Sequence, residues 1–157
     1  MRYISHRGNL IGPNPDLENR PDYIMNAIDL GFDCECDVWW HDGGWWLGHD
    51  RPQYRITDPE FLESDGLWIH AKNSEALMYL QQQYPEANYF WHDSDAYTLT
   101  SHGHIWAYPG STLSEETVCV MPENADPLYT KDEKIKAWAI CSDYIISEKL
   151  EEIRRNT

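Results

Sequence analysis

Positive charge is scarce in this 157-residue chain: 12 Lys and Arg stand against 27 Asp and Glu, for a net charge of −15 at pH 7. So acidic a surface repels phosphate backbones and anionic lipid, which excludes nucleic acid and an anionic membrane as partners of the surface as a whole. No apolar run approaches the roughly 18 residues of a membrane span, and Met1-Arg2-Tyr3-Ile4-Ser5 turns polar before a leader-like stretch can develop. The four cysteines, Cys34, Cys36, Cys119 and Cys141, form no disulfide framework. Cys34 and Cys36 lie two apart on a predicted strand, share one face and are poorly placed to bond each other. Reduced thiols packed beneath a helix are expected, and these fit a cytoplasmic compartment. The nine glycines do not gather into a dinucleotide-binding fingerprint after the first strand, and no repeat or low-complexity linker is present.

What the chain does have is 41% hydrophobic residues with 25% charged, the balance of a folded soluble protein. Its length predicts one domain, residues 1–157. Short apolar runs alternate with helical patterns. Strands are expected at Tyr3–His6, Phe32–Trp40, Leu67–Lys72, Asn88–Trp91, Ile105–Tyr108, Val118–Met121 and Tyr144–Ile146. A hairpin turns at Asp42-Gly43-Gly44 and returns through Trp45–Leu47. Helices are expected after Asn19 or Arg20 with Pro21 in the first turn, from Asn73 or Ser74 to Pro85, from Lys131 to Trp138, and from Glu148 to Arg155. Strand–helix alternation calls for a parallel sheet. Seven or eight mostly parallel strands predict an abbreviated (β/α) barrel, since a full one takes about 250 residues. Some helices must then be shortened or missing, which leaves barrel wall for a partner; a homodimer is the favoured assembly.

Polar, ligating residues stand at the carboxyl ends of the predicted strands, where a barrel builds its site. They are His6-Arg7-Gly8, Glu18-Asn19, Glu35-Cys36-Asp37, His49-Asp50 and His70-Ala71-Lys72. Glu35 and Asp37 lie on one strand face, so their carboxylates repel each other unless a cation sits between them. Hard oxygen donors on a strand suit Mg2+ or Ca2+. His6 and His49 titrate near neutrality, so one can take a proton while the other gives one. Arg7 offers a planar fork for phosphate oxygens and Lys72 a point charge. Together with a metal they supply the local positive potential that the net charge denies. The bland readings are that Asn19 caps a helix, that His102-x-His104 is a solvated loop, that half of Trp39, Trp40, Trp45 and Trp46 is packing, and that Trp91, Trp106 and Trp138 are core.

The run His6-Arg-Gly, Glu18-Asn19, Glu35-Cys-Asp37-Val-Trp-Trp-His-Asp-Gly-Gly-Trp-Trp-Leu-Gly-His49-Asp50 resembles the glycerophosphodiester phosphodiesterases, members of the phosphatidylinositol-phospholipase-C-like superfamily. His70-Ala-Lys72 resembles them less closely, and Cys141-Ser-Asp-Tyr-Ile-Ile is faintly similar to the family's last strand. The resemblance implies cleavage of a glycerophosphodiester or a related small or lipid-derived phosphodiester. It makes His6 and His49 the acid–base pair, Arg7 and Lys72 the phosphate contacts, and Glu35 and Asp37 metal ligands. The family's third acidic ligand is replaced here by His70, so Mn2+ and Zn2+ join Mg2+ and Ca2+ as candidates. Asp50, Asp93 and Asp95 are available to compensate. Glu18 and Asp50 are expected behind the site, orienting their neighbours. Two other outcomes stay open: a sphingomyelinase-D-like lyase releasing a cyclic phosphate, and a catalytically silent binding module.

Overall fold

A computed structural model describes residues 1–157. In chain order the elements are β1 (Arg2–His6), α1 (Pro21–Asp29), β2 (Asp33–His41), β3 (Gly44–Leu47), β4 (Tyr54–Arg55), β5 (Leu67–Ala71), α2 (Ser74–Gln83), β6 (Asn88–Phe90), β7 (Tyr97–Leu99), β8 (Ile105–Ala107), β9 (Thr117–Val120), α3 (Lys131–Lys134), β10 (Ala139–Ser142) and α4 (Ile145–Arg155). Single 3-10 turns occupy Pro59–Glu63 and Pro122–Asn124. No helix is long and apolar enough to cross a membrane.

Local chemistry explains the helix ends. Pro21 opens α1 with its fixed φ, and Ile24 and Ala27 bury its inner face. Asn73 caps α2 by accepting the Ala76 N–H at 3.2 Å, and the same amide exchanges two hydrogen bonds with the Trp40 backbone, tying α2 to β2.

All ten strands belong to one curled sheet, so the fold is mixed α/β and barrel-like. A parallel run β6-β5-β2-β1-β10-β9-β8 is framed by antiparallel additions, β3 on the end of β2, β4 on β3, and β7 on β8. No ladder joins β6 to β7. That seam is instead bridged by scattered hydrogen bonds: the Ser101 N–H donates to Tyr89 O at 2.8 Å, the Tyr89 N–H donates to Ser101 Oγ at 2.9 Å, and the Thr98 hydroxyl donates to Trp91 O at 2.6 Å.

Strand periodicity separates two environments. Cys34, Cys36 and Val38 of β2 point out, into a core shared with α1 and α2 that also holds Ile69, Ala76 and Leu80. A second outer core gathers Tyr3, Ile140 and Ile145 around α4. Ile4, Trp68, Phe90, Trp106, Val118 and Cys141 point inward and form one cluster drawn from β1, β5, β6, β8, β9 and β10. Side chains from both flanks of the sheet meet there, which is what makes it curl.

Several expectations are corrected. Tyr144-Ile145-Ile146 is not the last strand but the start of α4; the strand is β10, Ala139–Ser142. The helix expected over Lys131–Trp138 is only the four residues of α3, stopped so that Ala139 can enter the sheet beside β1 and β9. The expectation of seven or eight strands missed β4 and β7, each antiparallel. Residues 91–116 contain no helix, so none follows β6, β7 or β8 in the chain. Trp91 is consequently 41% exposed rather than core, whereas Trp106 is buried.

Candidate functional site

The His6-Arg7-Gly8 turn launches the site. Arg7 and Gly8 take left-handed φ values of 55° and 92°. A Cβ at Gly8 would come within 2.5 Å of the Tyr23 ring, so only glycine fits. The reversal swings the Arg7 guanidinium over β2, where its Nε lies 3.0 Å from Asp37 Oδ2. Parallel register does the rest: His6 is level with Glu35, and Asp37 with His70. Their side chains leave the strands on the inward face and converge at the carboxyl ends.

Asp37 is fully buried at the centre. Its Oδ2 accepts from Asn19 Nδ2 at 2.9 Å, and its Oδ1 lies 3.2 Å from His70 Nδ1 and 3.6 Å from Lys72 Nζ. Asn19 also accepts the Asp37 N–H at 2.9 Å. It therefore braces β2 from inside instead of capping α1, whose cap position is Arg20. Glu35, equally buried, has Oε2 at 3.8 Å from His6 Nε2 and Oε1 at 3.9 Å from His70 Nδ1. Burial opposes ionisation of Asp37, but His70, Arg7 and Lys72 outweigh it and hold its carboxyl well below the usual range. Glu35 goes the other way, pushed up by burial and by Asp37 beside it.

Glu35 Oε2 and Asp37 Oδ1 have no aligned hydrogen-bond donor. One nitrogen of His70 and a carboxylate oxygen from each acid all lie within 4.8 Å of one another. Two buried carboxylates and an imidazole gathered so closely, with Glu35 Oε2 lacking any aligned donor, fit a divalent cation, with Glu35, Asp37 and His70 as its holders. Asp93 and Asp95 are both exposed, and of the two only Asp93 lines the same cavity.

The two histidines each have a carboxylate partner. His6 Nδ1 lies 2.8 Å from Asp143 Oδ1, directly after β10. Burial alone would depress His6, but the Asp143 hydrogen bond and the Glu35 charge together raise it. His49 Nδ1 lies 2.7 Å from Asp50 Oδ1 in the loop after β3. His49 is far more open, with 43% of its side chain exposed. Gly48 makes that loop possible, because a Cβ there would sit 2.0 Å from Arg51 O. Trp39 donates its indole N–H to Gly48 O at 2.6 Å, so this tryptophan anchors the loop. Glu18 accepts from Arg7 at 3.3 Å and from Asn9 at 2.9 Å, and Asn9 in turn donates to Asp143 at 2.8 Å. Glu18 thus orients both Arg7 and the carboxylate behind His6.

His6, Arg7, Glu35, His49, His70 and Lys72 all line one cavity of about 410 Å3. Its other wall is aromatic and aliphatic, from Trp106, Tyr108, Pro109, Val120 and Met121. Sequence reasoning missed three members: Asn9, His92 and Asp143. Asp143 had a signal, being an acid close after an apolar run, but the last strand was expected at Tyr144–Ile146, which puts Asp143 before the strand instead of at its carboxyl end. Asn9 lies outside regular elements and gave none, whereas His92 directly follows the predicted strand Asn88–Trp91 and shared the strand-end signal. His102 and His104 sit at the opposite end, His104 stacked on Trp138 with ring centroids 4.0 Å apart.

No protein-family model matches this chain, and neither a curated protein nor a solved structure matches it.

Proposed function

We propose that this protein is a metal-assisted phosphodiesterase on an abbreviated (β/α) barrel, related to the glycerophosphodiester phosphodiesterases. One observation carries the reading: His6 and His49, each backed by an aspartate, stand in one cavity with Arg7, Lys72 and the Glu35 and His70 members of the Glu–Asp–His cluster. Each part has a task in displacement at phosphorus. Arg7 and Lys72 bind the nonbridging oxygens and offset the repulsion of a chain at −15. A divalent ion held by Glu35, Asp37 and His70 would neutralise charge on the phosphoryl group and favour formation of the attacking oxyanion.

His6 and His49 handle the protons. One imidazole takes a proton from the attacking water as its oxygen bonds to phosphorus. The other gives a proton to the bridging oxygen as that P–O bond breaks, so a phosphomonoester and an alcohol are released. Asp143 and Asp50 each accept the Nδ1–H of their histidine, which leaves Nε2 for the reaction and stabilises the imidazolium.

The test is turnover of bis(p-nitrophenyl) phosphate, glycerophosphocholine and lysophospholipids with Mg2+, Ca2+, Mn2+ and Zn2+ in turn, with products read by phosphorus NMR. A monoester product supports the hydrolase, and a cyclic phosphate as final product transfers the assignment to a lyase. Flat rates with every ion overturn the enzyme reading in favour of a silent binding module.

A further inference from the structure

Among the three groups at the centre of the site, His70 differs in kind, and its surroundings dictate how it can act. Its Nε2 lies 2.9 Å from the His92 carbonyl oxygen, an atom that can only accept, so Nε2 carries the proton and donates it. In the neutral ring the lone pair is therefore on Nδ1, the atom that faces Asp37 Oδ1 at 3.2 Å and Glu35 Oε1 at 3.9 Å. The ring cannot easily turn away. Phe90 is stacked against it with centroids 5.1 Å apart and planes inclined by 11°. A carbonyl behind one ring nitrogen with the other aimed at two carboxylates is the outer-partner arrangement of ligating histidines. Both separations fall within the span of about 4.2 Å that two donors on one ion of this size can have. Glu35 Oε2, fully buried beside this cluster without an aligned donor, is a second observation that fits a cation here.

We infer that His70 Nδ1 is a preorganised ligand that selects nitrogen-accepting ions of the Mn2+ and Zn2+ kind over Mg2+ and Ca2+. Hard Mg2+ and Ca2+ take oxygen donors almost exclusively, whereas imidazole suits the later first-row ions. The shell offers only two carboxylates, and Arg7 and Lys72 already draw charge from Asp37, which further disfavours ions bound by oxygen charge alone. The inference rests on the metal-assisted reading only in requiring a divalent ion here; it needs no phosphodiester chemistry.

The experiment is calorimetric titration of the full chain with each of the four ions, on wild type and His70→Glu, joined to pulsed EPR of bound Mn2+. Wild type is expected to bind Mn2+ and Zn2+ more tightly than Mg2+, and His70→Glu to narrow that ratio by about tenfold or more. The wild-type Mn2+ signal should carry an imidazole-nitrogen modulation that changes on 15N-histidine labelling, persists in His6→Ala and vanishes in His70→Glu. If His70→Glu does not fold, labelled wild type and His6→Ala decide together, since a nitrogen modulation that persists without His6 leaves His70 as the imidazole facing both acids. An unchanged ion ratio, a Mn2+ spectrum without nitrogen, or no binding of any ion overturns the inference. Mg2+-driven hydrolysis without nitrogen coordination would sink it while sparing the phosphodiesterase reading. Nitrogen-ligated Mn2+ without turnover would do the reverse.

Discussion

The cavity at the amino ends of the strands, about 560 Å3, is larger than the 410 Å3 cavity at their carboxyl ends. Both are lined by acids, histidines and at least one arginine, yet their polar groups are in opposite conditions. At the amino end Arg2 pairs with Asp33 at 3.2 Å, and Asp33 also accepts the Trp68 indole N–H at 3.1 Å. His102 is bonded to a backbone carbonyl and His104 is stacked on Trp138, leaving Asn88 Oδ1 as the one orphaned atom among the lining residues. At the carboxyl end Glu35, Asp37, His92 and Arg7 each keep a buried polar atom without an aligned partner. Arg7 Nε and Asp37 Oδ1 at least face opposite charge, whereas Glu35 Oε2 and His92 Nδ1 have no aligned partner, a state that costs about 1–3 kcal/mol per buried atom. Volume therefore does not mark the working end; unrelieved polarity does.

Substituting both ends in parallel sharpens that contrast. The largest effect belongs to the acid–base pair. His6→Ala and His49→Ala should each lower phosphodiester turnover by about 10^2–10^4-fold, with the circular dichroism spectrum unchanged. Normal turnover in either variant would break the contrast. Asp37→Asn comes next, because it leaves Arg7 and Lys72 facing a neutral amide. A loss of about 3–5 kcal/mol in urea unfolding is expected, together with loss of ion binding.

Asp143→Asn removes the charge that, with Glu35, holds His6 above its ordinary value. Turnover should fall by about 10–100-fold, and the limb of the pH–rate profile that reports His6 should move to lower pH. A limb that stays in place would mean His6 is held by something other than this contact. Smallest of all is Arg2→Met at the amino end. Its guanidinium is mostly exposed, so unfolding should change by about 1 kcal/mol or less, and turnover should be unaffected.

How much of this was legible in the chain depends on the range of the signal. Glu35 and Asp37 could be placed side by side because strand side chains alternate with a period of two, and His70 and Lys72 followed from the same rule. Gly8 and Gly48 marked the turns that deliver Arg7 and His49. The last strand was misplaced because Ala139-Ile140-Cys141 and Tyr144-Ile145-Ile146 are both short apolar runs, and local pattern alone does not say which of the two enters the sheet. That single error hid Asp143. Trp91 was misjudged for a related reason: it reads as the end of a strand, whereas β6 stops at Phe90 and no helix follows in residues 91–116 to cover it.

The sequence by itself determined which faces of β1, β2 and β5 carry carboxylate, imidazole and ammonium groups, since periodicity and turn chemistry act within a few residues. Only the tertiary structure decided who partners them. Pairing of β1 with β10 brings Asp143 to His6 across 137 positions. Pairing of β5 with β6 lays the His92 carbonyl against His70. Those contacts depend on the register in which distant strands close, and register is set by the whole inward-facing core at once rather than by any segment of the chain.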